Sequence, residues 1–247
     1  MLMRLLHSIK GKFIAAMRAC GHKGDARHFG VRFPAHLAPN RAALASLDSQ
    51  RFERAETLLV RRFLPRGSDV LELGGSMGVV SSVILGCGPR RLVSYEAVPE
   101  LAAIGRQIVA LNHPSADYLS VNRAICGEDT AEVVFYWSFE LPLSGSTSDL
   151  SIAGMKEVRV PADTLAHACE RHGFRPGAWL VCDVEGMEWD LLQKQADTLR
   201  IFDGIIIECH TGTFGGRNRH QAEVESELAA LGFRLRQRIG PVICMTR

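Results

Sequence analysis

The sequence predicts a doubly wound, mostly parallel α/β sheet of about seven strands, ending in an antiparallel C-terminal hairpin and preceded by an N-terminal helical extension. Three observations carry this reading. From residue 67 onward, short runs rich in β-branched residues alternate with helix-capable stretches, the pattern of parallel strands joined by crossover helices. The runs AWLVCD at 178–183 and GIIIE at 204–208 are almost continuously apolar, as strands covered on both faces must be. The C-terminal stretch FRLRQRIGPVICMTR sets Gly240-Pro241 between two strand-like halves, a turn signal.

Taken in order, the first strand is expected over 69–73, then a glycine turn and a helix from Val79 to Leu85. A second strand spans 91–96, and Pro99-Glu100 marks the start of a helix reaching Asn112, because proline suits the first helical turn. A third strand is expected over 118–125 and a fourth over 131–137. A Gly/Ser-rich loop follows at 142–151, then a short β run at 157–160. Asp163 reads as the N-cap of a helix ending near Gly173. The apolar run 178–183 is the strongest strand, followed by a helix over 188–199, the strand 204–208, a glycine-rich loop at 211–219 and a charged helix over 221–231.

Length and composition bound the function. The chain has 247 residues, of which 47% are apolar and 23% charged, which suits one domain or a domain with an appendage. No apolar run approaches the ~20 residues of a membrane span. The net charge of +2 is a cancellation: the first 66 residues carry +9 and the rest −7. Seven cysteines form no CxxC pair, and Cys182 and Cys209 lie inside apolar runs. They read as small buried hydrophobes in a reducing, cytoplasmic compartment. At the N-terminus, Leu2, Leu5, Leu6, Ile9, Phe13 and Met17 fall near helical spacing among Arg4, Lys10, Lys12 and Arg18. Lys10 and Lys12 interrupt any secretory h-region. Such a basic amphipathic segment either docks on its own domain or makes peripheral membrane contact through residues 1–20.

The stretch VLELGGSMGVVS carries the chemistry. It follows a strand, opens a helix and holds Gly74, Gly75 and Gly78; a helix N-terminus there offers unpaired N–H groups to an anion. Three readings compete. A dinucleotide loop would read G-x-G-x-x-G, and this one is a residue short. Gly74-Gly-Ser76-Met-Gly78 matches the G-x-S-x-G elbow of a serine hydrolase, but that fold needs several strands before the elbow, and the basic segment ahead of it has a helical pattern. An S-adenosylmethionine (SAM) site asks for an acid before the glycines, Glu72, and another closing the next strand. Glu96 is 22 positions after Gly74, where a carboxylate accepts ribose hydroxyls.

These residues resemble the FkbM-type SAM-dependent methyltransferases, a class I methyltransferase fold. The resemblance runs over roughly 51–210, through RFERAE, VLELGGSMGVVS, SYEAVPE, Asn112, NRAICGED, SGSTSDL, VRVPADTL, CDVEGMEWDLL and IIIECH. It departs from the family pattern at Val181, where a lysine is usual, and at Glu72, where an aspartate is usual. The first 50 residues lie outside it, so residues 1–50 form a basic helical extension and 51–247 the methyltransferase domain.

The resemblance implies SAM as cofactor, held by Glu72, Gly74, Gly75, Ser76, Gly78, Glu96, Ala97, Ala124 and Asp183. It implies methylation of a hydroxyl on a sugar, glycan or natural product. A protonated alcohol is a poor nucleophile, so a base or a divalent metal is expected at the strand C-termini. His210 is the expected general base, with Asp183 and Glu208 beside it; Asp183, Glu208 and His210 are also chemically able to ligate a metal, although their spacing is not diagnostic. Glu188 reads as a first-turn carboxylate favoured by the helix dipole, and Glu53 and Glu56 as a solvated helix face by default, with reach into the pocket as the alternative. Phe135, Tyr136, Trp137 and Phe139 suit a sugar ring or an edge-strand core, and the loop from Ser144 to Ser148 could close over the site. The strand ends in Asp-Val-Glu-Gly rather than the [DN]-P-P-[YF] that grips a base nitrogen, which argues against a nucleic-acid substrate.

Overall fold

The computed structural model describes residues 17–18, 24–137, 156–214 and 217–247. Along the chain they form β1 (Ala26–His28), β2 (Val31–Phe33), a 3-10 turn (Ala35–Leu37), α1 (Arg41–Asp48), α2 (Arg54–Phe63), β3 (Asp69–Leu73), α3 (Val79–Gly86), β4 (Arg91–Tyr95), α4 (Pro99–Asn112), β5 (Tyr118–Val121), β6 (Ala124–Cys126), β7 (Glu132–Trp137) and β8 (Lys156–Thr164). The second half adds α5 (Leu165–Arg171), β9 (Ala178–Cys182), α6 (Glu188–Lys194), α7 (Ala196–Leu199), β10 (Phe202–Glu208), β11 (Gly212–Phe214), β12 (Arg217–Arg219), α8 (Gln221–Ala230), β13 (Arg234–Ile239) and β14 (Val242–Thr246).

Seven strands make the main sheet in the order β13-β14-β10-β9-β3-β4-β5. β5, β4, β3, β9 and β10 run parallel, and β14 inserts antiparallel between β10 and β13. This is the class I methyltransferase arrangement, with the expected terminal hairpin turning at Gly240. Side chains alternate between two cores. Val70, Leu92, Trp179, Val181 and Ile206 face one with α2, α3 and α4; Leu71, Val93, Leu180, Ile205 and Ile207 face the other with α5, α6 and α8. Burial on both faces explains why these strands read as apolar runs without alternation. The chain order reverses between β3 and β9, and ligands of open α/β sheets bind at such a switch point.

The structure corrects several elements. The strand expected over 118–125 is two: β5 joins the main sheet, while β6 turns away at Asn122-Arg123 and pairs with β8 in a separate three-stranded sheet with β7. The short run at 157–160 belongs to a nine-residue strand, β8. Asp163 is therefore inside a strand and not an N-cap; it is buried, bound to Arg171 and near the Tyr95 hydroxyl. Thr164 caps α5 instead, its Oγ1 accepting the His167 N–H at 3.1 Å. The helix expected over 188–199 breaks at Gln195, and the loop over 211–219 contains the β11–β12 hairpin.

The basic N-terminal region is mixed rather than purely helical: the β1–β2 hairpin precedes α1, and Ala26, Val31, Phe33, Leu44 and Leu47 join the core around α3 and α4. Arg18 is buried against Asp48 rather than set on a polar face. The other residues of the expected amphipathic helix up to Phe13, and the Ser144–Ser148 loop with Phe139, lie outside the described residues. Six cysteines are described, all without disulfides and five of them buried. No helix among the described residues is long and apolar enough to cross a membrane.

Candidate active site

The glycine loop closes the gap between β3 and β9. Gly74 has φ +85°, and a Cβ there would lie 1.7 Å from the Asp183 carbonyl oxygen; only glycine allows that contact. Its N–H donates to Tyr95 O at 2.9 Å, and the Asp183 N–H donates to Leu73 O at 2.9 Å, so three strand ends are tied together. Gly78, at φ +75°, packs on Gly105 of α4, whose Cα would be 2.7 Å from an added Cβ.

An open pocket of about 850 Å3, part of it solvent space, lies above this junction. Its lining includes Gly74, Ser76, Glu96, Ala97, Ala124 and Asp183 among the expected residues. Glu72, Gly75 and Gly78 are placed behind that wall. Glu72 is buried and accepts from the Ser81 hydroxyl; burial raises its carboxyl while Ser81 and Ser94 lower it. It ties β3 to α3 rather than reaching into the pocket.

Glu96 closes β4 and is 8% exposed. One carboxylate oxygen accepts the Ser76 N–H at 2.7 Å and the other the Val98 N–H at 2.8 Å. Burial pushes its pKa up to about 7 against these two hydrogen bonds. Each oxygen keeps a lone pair, so the group can accept from a vicinal diol. Val98, Leu101 and Ile125 add apolar wall beside it. Asn122, which sequence reasoning did not single out, donates to Glu96 O at 2.8 Å and Ala97 O at 2.9 Å, fixing the loop that presents the carboxylate. This polar-plus-apolar lining fits a nucleoside.

The opposite wall is acidic: Glu53, Asp183 and Glu185 line the pocket, and Glu56 and Glu208 stand beside Asp183 without lining it. Asp183 follows β9, Glu208 ends β10, and Glu53 and Glu56 come from the start of α2. The structure corrects the solvated-face reading of these two: Glu53 lines the pocket, and Glu56 is only 5% exposed. Glu56, Asp183 and Glu208 each offer an oxygen within 4.8 Å of the others. Burial, with the charge of Glu208, pushes Glu56 up to about 8. Burial and then Glu208 and Glu185 raise Asp183, and burial and then Asp183 raise Glu53.

His210 stands at the rim, held by carboxylates. Glu188, fully buried, accepts the His210 backbone N–H at 2.7 Å and faces its Nδ1 at 3.0 Å through the same oxygen. Its other oxygen accepts the Gly186 N–H at 2.8 Å. Glu188 is thus a positioning group, not a solvated helix-dipole carboxylate. On the far side of the ring, Nε2 is 3.2 Å from Glu185 and 3.8 Å from Asp183. Burial alone would lower the histidine's pKa, but Glu185 and Glu188 overcome it and raise it to about 11. In this arrangement His210 is an imidazolium at neutral pH.

The pocket's third side is β7. Val133, Phe135 and Trp137 point inward, while Tyr136 on the alternate face meets Glu157. Arg123 and Met187 also line the pocket.

With this geometry in hand, comparison with known proteins is informative. Among solved structures the chain is similar to the pyocyanin biosynthetic protein PhzM (15% identity, TM-score 0.47), over 84% of this chain but only 57% of that one. It is also similar to magnesium protoporphyrin IX methyltransferase from Synechocystis PCC 6803 with bound SAH (12% identity, TM-score 0.46), over 80% and 82% of the two chains. A third is the ribosomal protein L11 methylase from Lactobacillus delbrueckii subsp. bulgaricus (12% identity, TM-score 0.42), over 79% and 77%. No curated protein sequence matches the chain. The family model described as the methyltransferase FkbM domain matches residues 74–235, well over half of the chain, from the glycine loop to the start of β13. The chain belongs to the FkbM methyltransferase family.

Proposed function

We propose that this methyltransferase uses SAM to methylate a hydroxyl group of a sugar, glycan or natural product. The observation that carries the reading is the apposition, at one switch point, of a nucleoside-sized wall around Glu96 and a wall of raised-pKa carboxylates around Asp183. When bound, SAM supplies an activated methyl carbon. Glu96 would accept the ribose hydroxyls, with Ala97, Val98, Leu101, Ala124 and Ile125 against the base, and Gly74 and Ser76 would border the amino-acid end. The chain's remaining task is to align an acceptor oxygen and take its proton.

Asp183 and Glu208 are better placed for that proton than His210, whose ring already bears one between Glu185 and Glu188. Burial raises the Asp183 carboxyl well above the usual range, which makes its carboxylate the stronger base. While Nε2 carries its proton, His210 supplies the positive charge that keeps the cluster from full like-charge repulsion. Phe135 and Trp137 offer apolar surface to the acceptor. Ser76 is assigned to the cofactor wall and not to a hydrolase: its backbone N–H is bound to Glu96, and the loop falls within the family match.

Isothermal titration with SAM and SAH, followed by label transfer from SAM to a panel of hydroxylated sugars, tests the reading. Micromolar SAH affinity and an alkali-stable methyl ether are expected. Absence of SAH binding, together with fluorophosphonate labelling of Ser76, would overturn it.

A second reading concerns a basic surface that includes the outer side of α2. The guanidinium groups of Arg27, Arg54, Arg61, Arg62 and Arg66 have no carboxylate partner among the described residues, and Arg54 and Arg61 both sit over Phe29, at 5.6 and 5.7 Å. We propose that this face, continuous in sequence with the acid-free residues 1–23, meets an anionic lipid surface.

A further inference from the structure

We infer that Asp183, Glu185 and His210 form a divalent-cation site at the rim of the pocket, with Glu188 as the group that positions the histidine. The ligand atoms lie within 4.8 Å of one another. Nε2 of His210 is 3.2 Å from Glu185 Oε2 and 3.8 Å from Asp183 Oδ1. Two ligands at right angles on an ion with bonds of about 2.1 Å are about 3 Å apart, so the imidazole and the nearer carboxylate already span one coordination edge.

Two further observations point to a ligand there. Glu188 is wholly buried and occupies both the backbone N–H and the Nδ1 side of His210, which leaves Nε2 as the outward-facing ring atom, where a bound cation would take the place of the proton the ring otherwise carries, that proton going to solvent. A buried carboxylate on the far ring nitrogen is the usual support of a metal-binding histidine. Asp183 Oδ1, meanwhile, is sealed from solvent and accepts no hydrogen bond, although it lies only 3.8 Å from that ring. A buried carboxylate oxygen without a donor is costly, and an ion between it and Nε2 would satisfy both.

The adjacent trio of Glu56, Asp183 and Glu208 shares Asp183 but has no nitrogen donor, and Glu56 faces Glu208 in a buried place that suits a shared proton. The mixed nitrogen and oxygen set favours Mn2+, Fe2+ or Zn2+ over Ca2+. The inference rests on the methyltransferase reading only for the ion's role, which is to hold the acceptor oxygen beside the methyl donor.

The test uses the full chain, stripped with chelator, and Mn2+ alone as probe, read by calorimetry and by loss of the free Mn2+ electron paramagnetic resonance signal. SAH is titrated in parallel. Wild type should bind one Mn2+; Glu185→Gln, at the rim, and Glu188→Gln, which keeps the shape of the buried group, should each weaken it about 10–100-fold with SAH affinity unchanged. Glu208→Gln should stay within about threefold. SAH binding without Mn2+ binding tighter than about 1 mM, or Mn2+ affinity untouched by both Glu185→Gln and Glu188→Gln, overturns the ion site and leaves the methyltransferase reading standing. Loss of Mn2+ in Glu208→Gln alone also overturns it, in favour of the carboxylate trio. Mn2+ binding that follows the expected pattern without any SAH binding supports the ion site and removes only the cofactor reading.

Discussion

The two walls of the pocket meet at Asp183, but they are built in different ways. The wall around Glu96 comes from three loops that each follow a strand directly, and its shape is set by backbone: Gly74 against the Asp183 carbonyl, Ser76 and Val98 N–H groups on one carboxylate, Asn122 on the loop carbonyls. The acidic wall gathers side chains from α2, the end of β9, the start of α6 and the end of β10. Its shape is set by charge, with six carboxylates gathered around one imidazole in a half-buried place. A backbone-defined wall should fail in affinity and stability when altered; a charge-defined wall should fail in turnover and pH response.

The largest effect separates them directly. Asp183→Asn keeps the shape of the junction but removes the proposed proton acceptor, and turnover should fall about 1,000-fold while SAH affinity, measured by calorimetry, stays within a few-fold. Equal losses in both would show that the walls act as one. Gly74→Ala attacks the backbone at the same place: a side chain at φ +85° facing the Asp183 carbonyl should cost about 2–3 kcal/mol in denaturant unfolding. An unchanged midpoint would show that β3 and β9 can separate freely.

Glu96→Gln should weaken SAH about 10–100-fold, the worth of charged hydrogen bonds. Because Glu96 titrates at about 7 in the free protein, wild-type SAH affinity should rise as pH increases through 7 and level off above it. The variant should lack that rise.

Glu56 provides a smaller test of the charge-defined wall. Its pKa is raised to about 8 in the fold from an ordinary carboxylate value when unfolded, so the folded chain holds a proton that the unfolded chain releases. The stability it contributes is full below about 4.5, declines as pH rises, and is gone above 8. Glu56→Gln should therefore gain in melting temperature relative to wild type between pH 5 and 9. A constant difference across that range would remove Glu56 from the shared-proton cluster. The smallest effect lies on the basic face: Arg54→Glu with Arg61→Glu should change stability by under about 0.5 kcal/mol but abolish sedimentation with anionic liposomes. Intact protein that never pellets with them ends the lipid reading.

Much of the cofactor wall was legible in the sequence because its determinants are local. A glycine loop between a strand and a helix, and an acid closing the next strand, point to Gly74, Ser76, Glu96 and Ala97 without knowledge of what lies across the sheet. The acidic wall was read only where it shares strand ends. Asp183, Glu208 and His210 were found because strand C-termini at a switch point face ligands. Glu53 and Glu56 looked like a solvated face because helical periodicity alone does not say that the start of α2 leans over β10. Glu188 looked like a dipole-favoured first-turn acid, since nothing local shows His210 folding back onto it. His210 read as a base for the same reason: only its distances to Glu185 and Glu188 reveal that it is already protonated.

By itself the sequence determined the fold class, a doubly wound and mostly parallel sheet with an antiparallel terminal hairpin, because continuous apolar runs, glycine turns and a Gly-Pro turn admit few right-handed, unknotted solutions. It also placed the glycine loop and Glu96 side by side at the strand ends, where the structure has the pocket. Only the tertiary structure decided that β6 leaves the sheet to line the pocket, that Glu72 faces inward while Glu96 faces the pocket, and that the acids of α2 join those of β9 and β10. Hydrophobic periodicity is a property of neighbouring residues, whereas protonation, ion pairing and metal-binding geometry depend on distances of 3 to 4 Å between segments far apart in the chain. Those distances exist only after the sheet has closed.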